Sequence, residues 1–153
     1  MSDLSHGQST GHVARFVDLD PATLYALLRL RVDVFVVEQR CAYPDLDGRD
    51  TEPGTWHIWR SVGSEPVAYL RILDNGSDGV RIGRVVTAPD HRGNGFAALL
   101  MEHALELSKD RPTRLDAQTP VAGFYERYGF RVVGPEFLED GIPHLPMERP
   151  ADE

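Results

Sequence analysis

Arg84-Val-Val-Thr-Ala-Pro-Asp-His-Arg-Gly-Asn-Gly-Phe-Ala-Ala98 opens as a strand, turns through a proline and two glycines, and runs into the first turn of a helix. Such a helix start presents N–H groups without intrahelical acceptors at the positive end of the helix dipole. That is a seat for an anion, and Gly93 and Gly95 let backbone come close to it. A pyrophosphate is the obvious guest. Gly93-Asn-Gly-Phe-Ala-Ala98 also satisfies the dinucleotide pattern G-x-G-x-x-A. A dinucleotide fold, however, places its glycine turn directly after a strand, near the start of the domain. Here residues 88–92 intervene and only a short stretch of chain follows, although Asp116 lies near the spacing of a ribose-binding acid. A Walker A loop needs Gly-Lys-Ser/Thr, which is missing. The bland alternative is a surface turn whose glycines serve geometry alone.

Working outward, residues 13–17 read as a first strand, and Asp20-Pro21 is a capped helix start. Leu24, Leu27, Leu28, Val34 and Phe35 keep a helical stripe, and the apolar run Val34-Phe-Val-Val37 predicts a buried helix end. From Cys41 to Gly54 the chain is polar, acidic and turn-rich. Residues 56–62 and 66–73 read as a hairpin across Gly63-Ser64, and residues 80–87 as the next strand. Phe96, Leu99, Leu100, Ala104 and Leu107 give an amphipathic helix over 95–110, followed by a strand at 114–118. Thr119-Pro120 starts a short helix with Val121, Phe124, Tyr125 and Tyr128 on its apolar side and Gly129 as its stop. Residues 130–133 and 144–148 look like final strands. Strands and helices alternate, with a run of adjacent strands in the middle, so the fold class is α/β with a mixed sheet.

The 153 residues suit one domain, expected over 11–150, after a Ser/Gly/His/Gln-rich stretch at 1–10 that reads as a disordered tail. A net charge of −8 argues against nucleic acid as a partner and is compatible with a cationic acceptor. No apolar stretch approaches a membrane span, and the polar N-terminus does not read as a signal peptide. Cys41 is the single cysteine, which excludes an internal disulfide and fits a cytoplasmic setting. Lys109 is the single lysine, which leaves it and the N-terminus as the only amines for self-modification.

Arg92-x-x-Gly95-x-Ala97 after a strand resembles the acyl-CoA signature of the GNAT superfamily of N-acetyltransferases. Phe124-Tyr-Glu-Arg-Tyr-Gly-Phe130, on the helix after the next strand, matches its second element. The likeness is closer still to the ElaA-type branch. It runs through Leu24-Tyr-Ala-Leu-Leu28, Val34-Phe-Val-Val-Glu-Gln39, Cys41-x-Tyr-x-Asp-x-Asp-Gly-x-Asp50, Val67-Ala-Tyr69, Arg71-Ile-Leu73, Ile82-Gly-Arg-Val85, Asp116-Ala-Gln118 and Glu139-Asp-Gly-Ile-Pro-His144. The resemblance implies a GNAT-type fold, a central mixed sheet of six to seven strands flanked by helices. It also implies acetyl-CoA as co-substrate, no metal, and an amine acceptor, small molecule or protein; a homodimer is common in such folds. Backbone N–H groups of Gly93, Asn94, Gly95, Phe96, Ala97 and Ala98 would cradle the pyrophosphate, with Arg92 at the head of the loop. Val85, Val86 and Thr87 would pair with the pantetheine arm as with another strand.

Transfer of an acyl group from thioester to amine needs a neutral nitrogen and a thiolate that can leave. Deprotonating a lysine-type amine at pH 7 costs about 4–5 kcal/mol, an α-amine only about 1 kcal/mol. A general base is therefore expected for an alkylamine, and a backbone N–H near Val86 would stabilise the thioester oxygen. Tyr125 matches the residue expected to protonate the thiolate, although its spacing also suits a packing stripe. The strand Arg81-Ile-Gly-Arg84 lacks the carboxylate that many relatives use as base, and Gln118 stands where many carry asparagine. Glu38 is the first candidate base, since burial beside an apolar run would raise its pKa. His57 and His144 are the next candidates. Arg71, in an apolar strand, holds either a substrate carboxylate or an internal acid. Asp45, Asp47 and Asp50 resemble an abbreviated calcium loop without its closing Glu, so a structured loop beside the acceptor is the preferred reading. Together these point to an acetyl-CoA-dependent N-acetyltransferase using direct attack; a non-catalytic acyl-CoA sensor or partner-binding module on the same fold is the alternative.

Overall fold

The computed structural model describes residues 9–153. Strands β1 (Ser9–Arg15), β2 (Trp56–Val62), β3 (Glu65–Asp74), β4 (Val80–Thr87), β5 (Thr113–Gln118), β6 (Arg131–Val132), β7 (Phe137–Glu139) and β8 (Ile142–Arg149) form one sheet. Its order is β1-β2-β3-β4-β5-β8-β6, with β7 on β8. All pairings are antiparallel except β4 with β5. The expected tail at 1–10 lies mostly outside the described residues, but Ser9 and Thr10 already belong to β1, paired with Val62 and Ser61. Among the described residues no helix is long and apolar enough to cross a membrane.

Helix α1 (Pro21–Val32) starts where the sequence places it: the Asp20 carboxylate accepts from the Thr23 N–H at 2.8 Å, and Pro21 takes the first helical position. It continues as a π-helical turn over Asp33–Glu38. Val34 in that turn is buried, but Val37 is 65 % exposed, against the expectation of a wholly buried end. Four consecutive residues span the full circumference of a helix, and only one side of this one meets the sheet.

Alternation along β3 sends its side chains to two cores. Tyr69 joins Leu27 and Leu30 of α1 and Val34 of the turn that follows it, with Trp59 and Val86. Ala68, Leu70 and Ile72 join Ile82, Leu115 and Ala117 beneath helices α2 (Phe96–Ser108) and α3 (Ala122–Glu126), which contribute Phe96, Leu100, Met101, Ala104 and Tyr125. Burying each such large apolar side chain contributes about 1.5–3 kcal/mol. Gly129, at φ 88°, ends the α3 segment in the left-handed conformation foreseen for it.

Two irregularities shape the middle of the sheet. Tyr69 faces Val86 and Arg71 faces Gly83, so Arg84 and Val85 together stand opposite Leu70, which is a bulge in β4. Arg84 takes φ 55° there. Beyond it, β4 and β5 part: they pair only at Val80 with Thr113 and Arg81 with Arg114. The other edge of β5 is covered by β8 from Thr113–Arg149 to Gln118–His144. The C-terminal half of β4 thus diverges from β5 and leaves a cleft between two parallel strands.

Candidate active site

A crevice of about 900 Å³ opens at this split. One side of it is the loop that opened the sequence reading. Gly93 (φ 83°) and Gly95 (φ 80°) adopt left-handed backbone that a side chain resists. Gly95 is also the N-cap of α2 and has no side chain of its own to cap that end; the first intrahelical bond runs from the Leu99 N–H to the Gly95 carbonyl at 3.2 Å. Val85, Val86, Thr87, Arg92, Gly93, Gly95, Phe96, Ala97 and Ala98 all line the crevice. Asn94 does not line it; its side-chain amide turns inward and donates to the His91 carbonyl at 3.4 Å. A helix start at a glycine, a glycine turn and a splayed strand in one cleft of this size fit the pyrophosphate and pantetheine of an acyl-CoA.

Arg92 closes this half. Its Nη1 and Nη2 donate to the two oxygens of Glu38 at 2.7 Å each, and its Nε donates to the Thr87 carbonyl at 3.1 Å. Glu38 therefore has the opposite character from that expected. It is exposed, and the hydrogen bonds and charge of Arg92 hold its carboxyl below the ordinary glutamate range. A carboxylate bound to a guanidinium is a poor base.

Tyr125 lies in the crevice wall on the α2 side of the sheet and is 7 % exposed. Burial pushes its phenol up to about 12. Phe124 and Phe130 meet it edge-on, with ring centroids 5.1 and 6.2 Å away. It packs, as the spacing of the stripe suggested, and it also faces the cleft.

The α1 side of the crevice is built on a buried network of arginines and aspartates. Arg31 Nε reaches Asp45 Oδ2 at 3.0 Å and its Nη1 reaches Asp50 Oδ1 at 2.7 Å. Arg71 binds Asp47 at 2.6 Å and Asp50 at 3.0 Å. Arg84 lies 3.0 Å from Asp45 and 3.4 Å from Asp47, and the Tyr43 hydroxyl also donates to Asp45. Arg71 thus holds internal acids, and the aspartates of the 41–54 segment are engaged by arginines, as a structured loop requires and a calcium loop does not. Three arginines answer three aspartates, so the network is locally neutral, which is what makes its burial tolerable.

His57 belongs to the same scaffold and does not line the crevice. It is 2 % exposed, with Nδ1 2.7 Å from the Tyr69 hydroxyl and Nε2 2.9 Å from the Asp50 carbonyl. Burial lowers its pKa, offset in part by the Asp50 carbonyl. The substrate or base role considered for it is therefore corrected: both ring nitrogens are spent inside the fold.

His144 does line the crevice. Its Nδ1 is 2.7 Å from the Ile142 carbonyl. A carbonyl only accepts, so Nδ1 carries a hydrogen, and in the neutral ring Nε2 is the acceptor nitrogen. His144 stands directly opposite Gln118 across the β5–β8 pairing, on the same face of the sheet. Gln118 Nε2 in turn donates to Gln39 Oε1 at 3.4 Å. Cys41, another lining residue, points its thiol to the Asp140 carbonyl at 3.5 Å. Across the split, Arg81 Nη1 meets Asp116 Oδ2 at 2.9 Å. Arg31, Arg84 and the Arg81–Asp116 pair escaped the sequence reading. For Arg31 a signal existed, since Leu27, Arg31 and Val34 follow the spacing of one buried helix stripe.

The family model for the acetyltransferase (GNAT) domain matches residues 33–150. A UPF0039 protein of Mycobacterium tuberculosis is 47 % identical over 137 residues, covering 87 % of this chain and 88 % of its own. Among solved structures, an acyl-CoA N-acyltransferase from Pseudomonas aeruginosa superposes with a TM-score of 0.88 at 41 % identity, over 92 % of this chain and 99 % of that one. Escherichia coli ElaA superposes with a TM-score of 0.87 at 39 % identity, over the same shares of 92 % and 99 %.

Proposed function

The chain belongs to the GNAT acetyltransferase family, in its ElaA-like branch, and from that premise we propose that it moves an acetyl group from acetyl-CoA to a primary amine by direct attack. The observation that carries the reading is the cleft itself. A helix start at a glycine and a splayed strand meet on one side of the split, and His144, its Nδ1 held by a backbone carbonyl, lines the other. Bound acyl-CoA supplies the thioester carbon that the amine attacks and the thiolate that leaves. The loop at 92–98 holds the pyrophosphate, and Val85, Val86 and Thr87 pair with the pantetheine amides. His144 Nε2 takes the proton of the incoming amine, a role that fits its fixed tautomer better than the arginine-bound Glu38 fits it. Tyr125, kept in its acid form by burial, gives a proton to the leaving sulfur. Base and acid thus stand on opposite faces of the split sheet.

The test is free-thiol release from acetyl-CoA across a panel of lysine peptides, polyamines and arylalkylamines. Turnover of at least one amine, cut roughly 10²-fold or more in His144→Gln, supports the reading. Binding of acetyl-CoA without turnover of any amine replaces it with a sensor or partner-binding module. The absence of a carboxylate on β4 at Arg81-Ile-Gly-Arg84 is what favours that second reading.

A further inference from the structure

Gly83 is a glycine that the protein itself does not require. Gly93 and Gly95 hold positive φ and need the missing side chain for conformation. Gly83 has no such φ; it sits mid-strand in β4, opposite Arg71. Glycine there weakens a strand by about 0.5–1 kcal/mol relative to alanine. Packing does not require it either. A Cβ at Gly79 would come within 2.1 Å of the Pro112 carbonyl and one at Gly54 within 2.9 Å of Asp74, but a Cβ at Gly83 meets nothing within 4 Å. Glycine inside a strand marks a bulge, a tight bend or a place where another molecule approaches the backbone. The left-handed residue of the β4 bulge is Arg84 and not Gly83, which leaves the approach of another molecule.

The face on which Gly83 opens follows from alternation. Ile82 enters the core beneath α2, so Gly83 faces the α1 side of the sheet, and it lines the crevice. Arg71 is its cross-strand neighbour and Arg81 lies two residues back on the same face. The first is bound to Asp47 and Asp50, the second to Asp116. The charges around the space are therefore answered within the protein, and the floor is polar without a net charge. Such a floor does not hold an amine in its ammonium form, which is the form that cannot attack. Tyr125 and the α2 start lie toward the opposite face.

We infer that the open face of Gly83 is the seat of the acceptor's amine-bearing end, and that the missing side chain sets the room available to a primary aliphatic amine there. This rests on the acyl-transfer reading above. A side chain at position 83 fills the seat and leaves the acyl-CoA half untouched.

Gly83→Ala and Gly83→Val in the full chain test it, with acetyl-CoA as donor and spermidine, Nα-acetyl-lysine amide and tyramine as acceptors. The space around the Cβ lets both variants fold, which a melting curve checks. The expected result is an amine KM raised about tenfold or more by Ala and turnover lost with Val, while the calorimetric Kd for CoA stays at its wild-type value. Unchanged amine KM in both variants overturns the seat and leaves the transferase reading standing. A parallel loss of CoA affinity also overturns it, because the space then belongs to the cofactor. A wild-type chain that turns over none of the amines overturns the transferase reading, and the seat with it.

Discussion

Arg92 and Glu38 face each other through two hydrogen bonds of 2.7 Å, joining the head of the anion loop to the end of the helix that follows α1. The pair neutralises the arginine at the head of the loop proposed to hold the pyrophosphate. Both side chains are half exposed, so the pair adds little to stability. Glu38→Gln is accordingly expected to bind CoA a few-fold more tightly at low ionic strength, with the gain fading at about 1 M salt. Its kcat is expected to stay near that of the parent. Calorimetry over a salt series checks the first point. A collapse of kcat in Glu38→Gln would restore Glu38 as the base.

Tyr125→Phe keeps the ring and its edge-on contacts with Phe124 and Phe130 and removes only the hydroxyl. A kcat lowered roughly 10²-fold with CoA affinity unchanged is expected. Equal losses in both would make Tyr125 a packing or cofactor-binding residue. Burial raises the phenol to about 12, so its acid form persists through the working pH range. The wild-type rate is therefore expected not to fall as pH rises from about 8 to 10, which a pH–rate profile measures.

The two halves of the cleft were unequally legible in the sequence. The cofactor half is local: strand, turn and helix start are contiguous from Arg84 to Ala98, and glycine chemistry punctuates them. The half proposed for the acceptor is assembled from β3, β4, β5, β8 and the 41–54 segment, and local spacing does not show which arginine meets which aspartate. Arg71 with Asp47 and Asp50 joins residues on different elements. The raised pKa expected of Glu38 is not found, because its partner, Arg92, lies far along the chain and was assigned to the cofactor. Strand β7 was missed because three residues carry no period, although Asp140-Gly141, at φ 52° and 81°, is a hairpin turn the sequence does announce.

The buried network predicts how stability depends on pH. His57 is held below its ordinary value by burial, so the unfolded chain binds its proton first. Its contribution is complete above about pH 6.5 and is lost as pH falls below that. Asp47 is lowered by its hydrogen bond with Arg71. For Asp50, burial pushes upward, but the hydrogen bond and charge of Arg31, with Arg71, more than reverse it. Their contributions are complete above about pH 4 and are lost as pH falls through the folded values. Tm is expected to decline gently below about pH 6.5 and steeply below about pH 4. His57→Gln should flatten the first stage and Asp47→Asn should soften the second. Arg31→Ala leaves Asp45 and Asp50 buried without it and is expected to cost about 3–5 kcal/mol, read from urea unfolding.

Arg84 is the place where the network meets β4. Its backbone sits at φ 55° in the β4 bulge, and its side chain is held by Asp45 and Asp47. Left-handed backbone costs a side-chain-bearing residue about 1–2 kcal/mol, which glycine does not incur. Arg84→Gly therefore relaxes the backbone while removing the ion pairs that hold it. The fold should survive, because Asp45 keeps Arg31 and Asp47 keeps Arg71. If the side chain is what fixes the bulge beside Val85 and Val86, kcat should fall about tenfold or more from misplacement alone, with Tm little changed. Arg84→Lys keeps a cation within reach of both aspartates and should recover part of the loss. Full activity in Arg84→Gly would mean that the pairing of β3 with β4 sets the bulge unaided, and that the aspartates hold the 41–54 segment without reaching the chemistry.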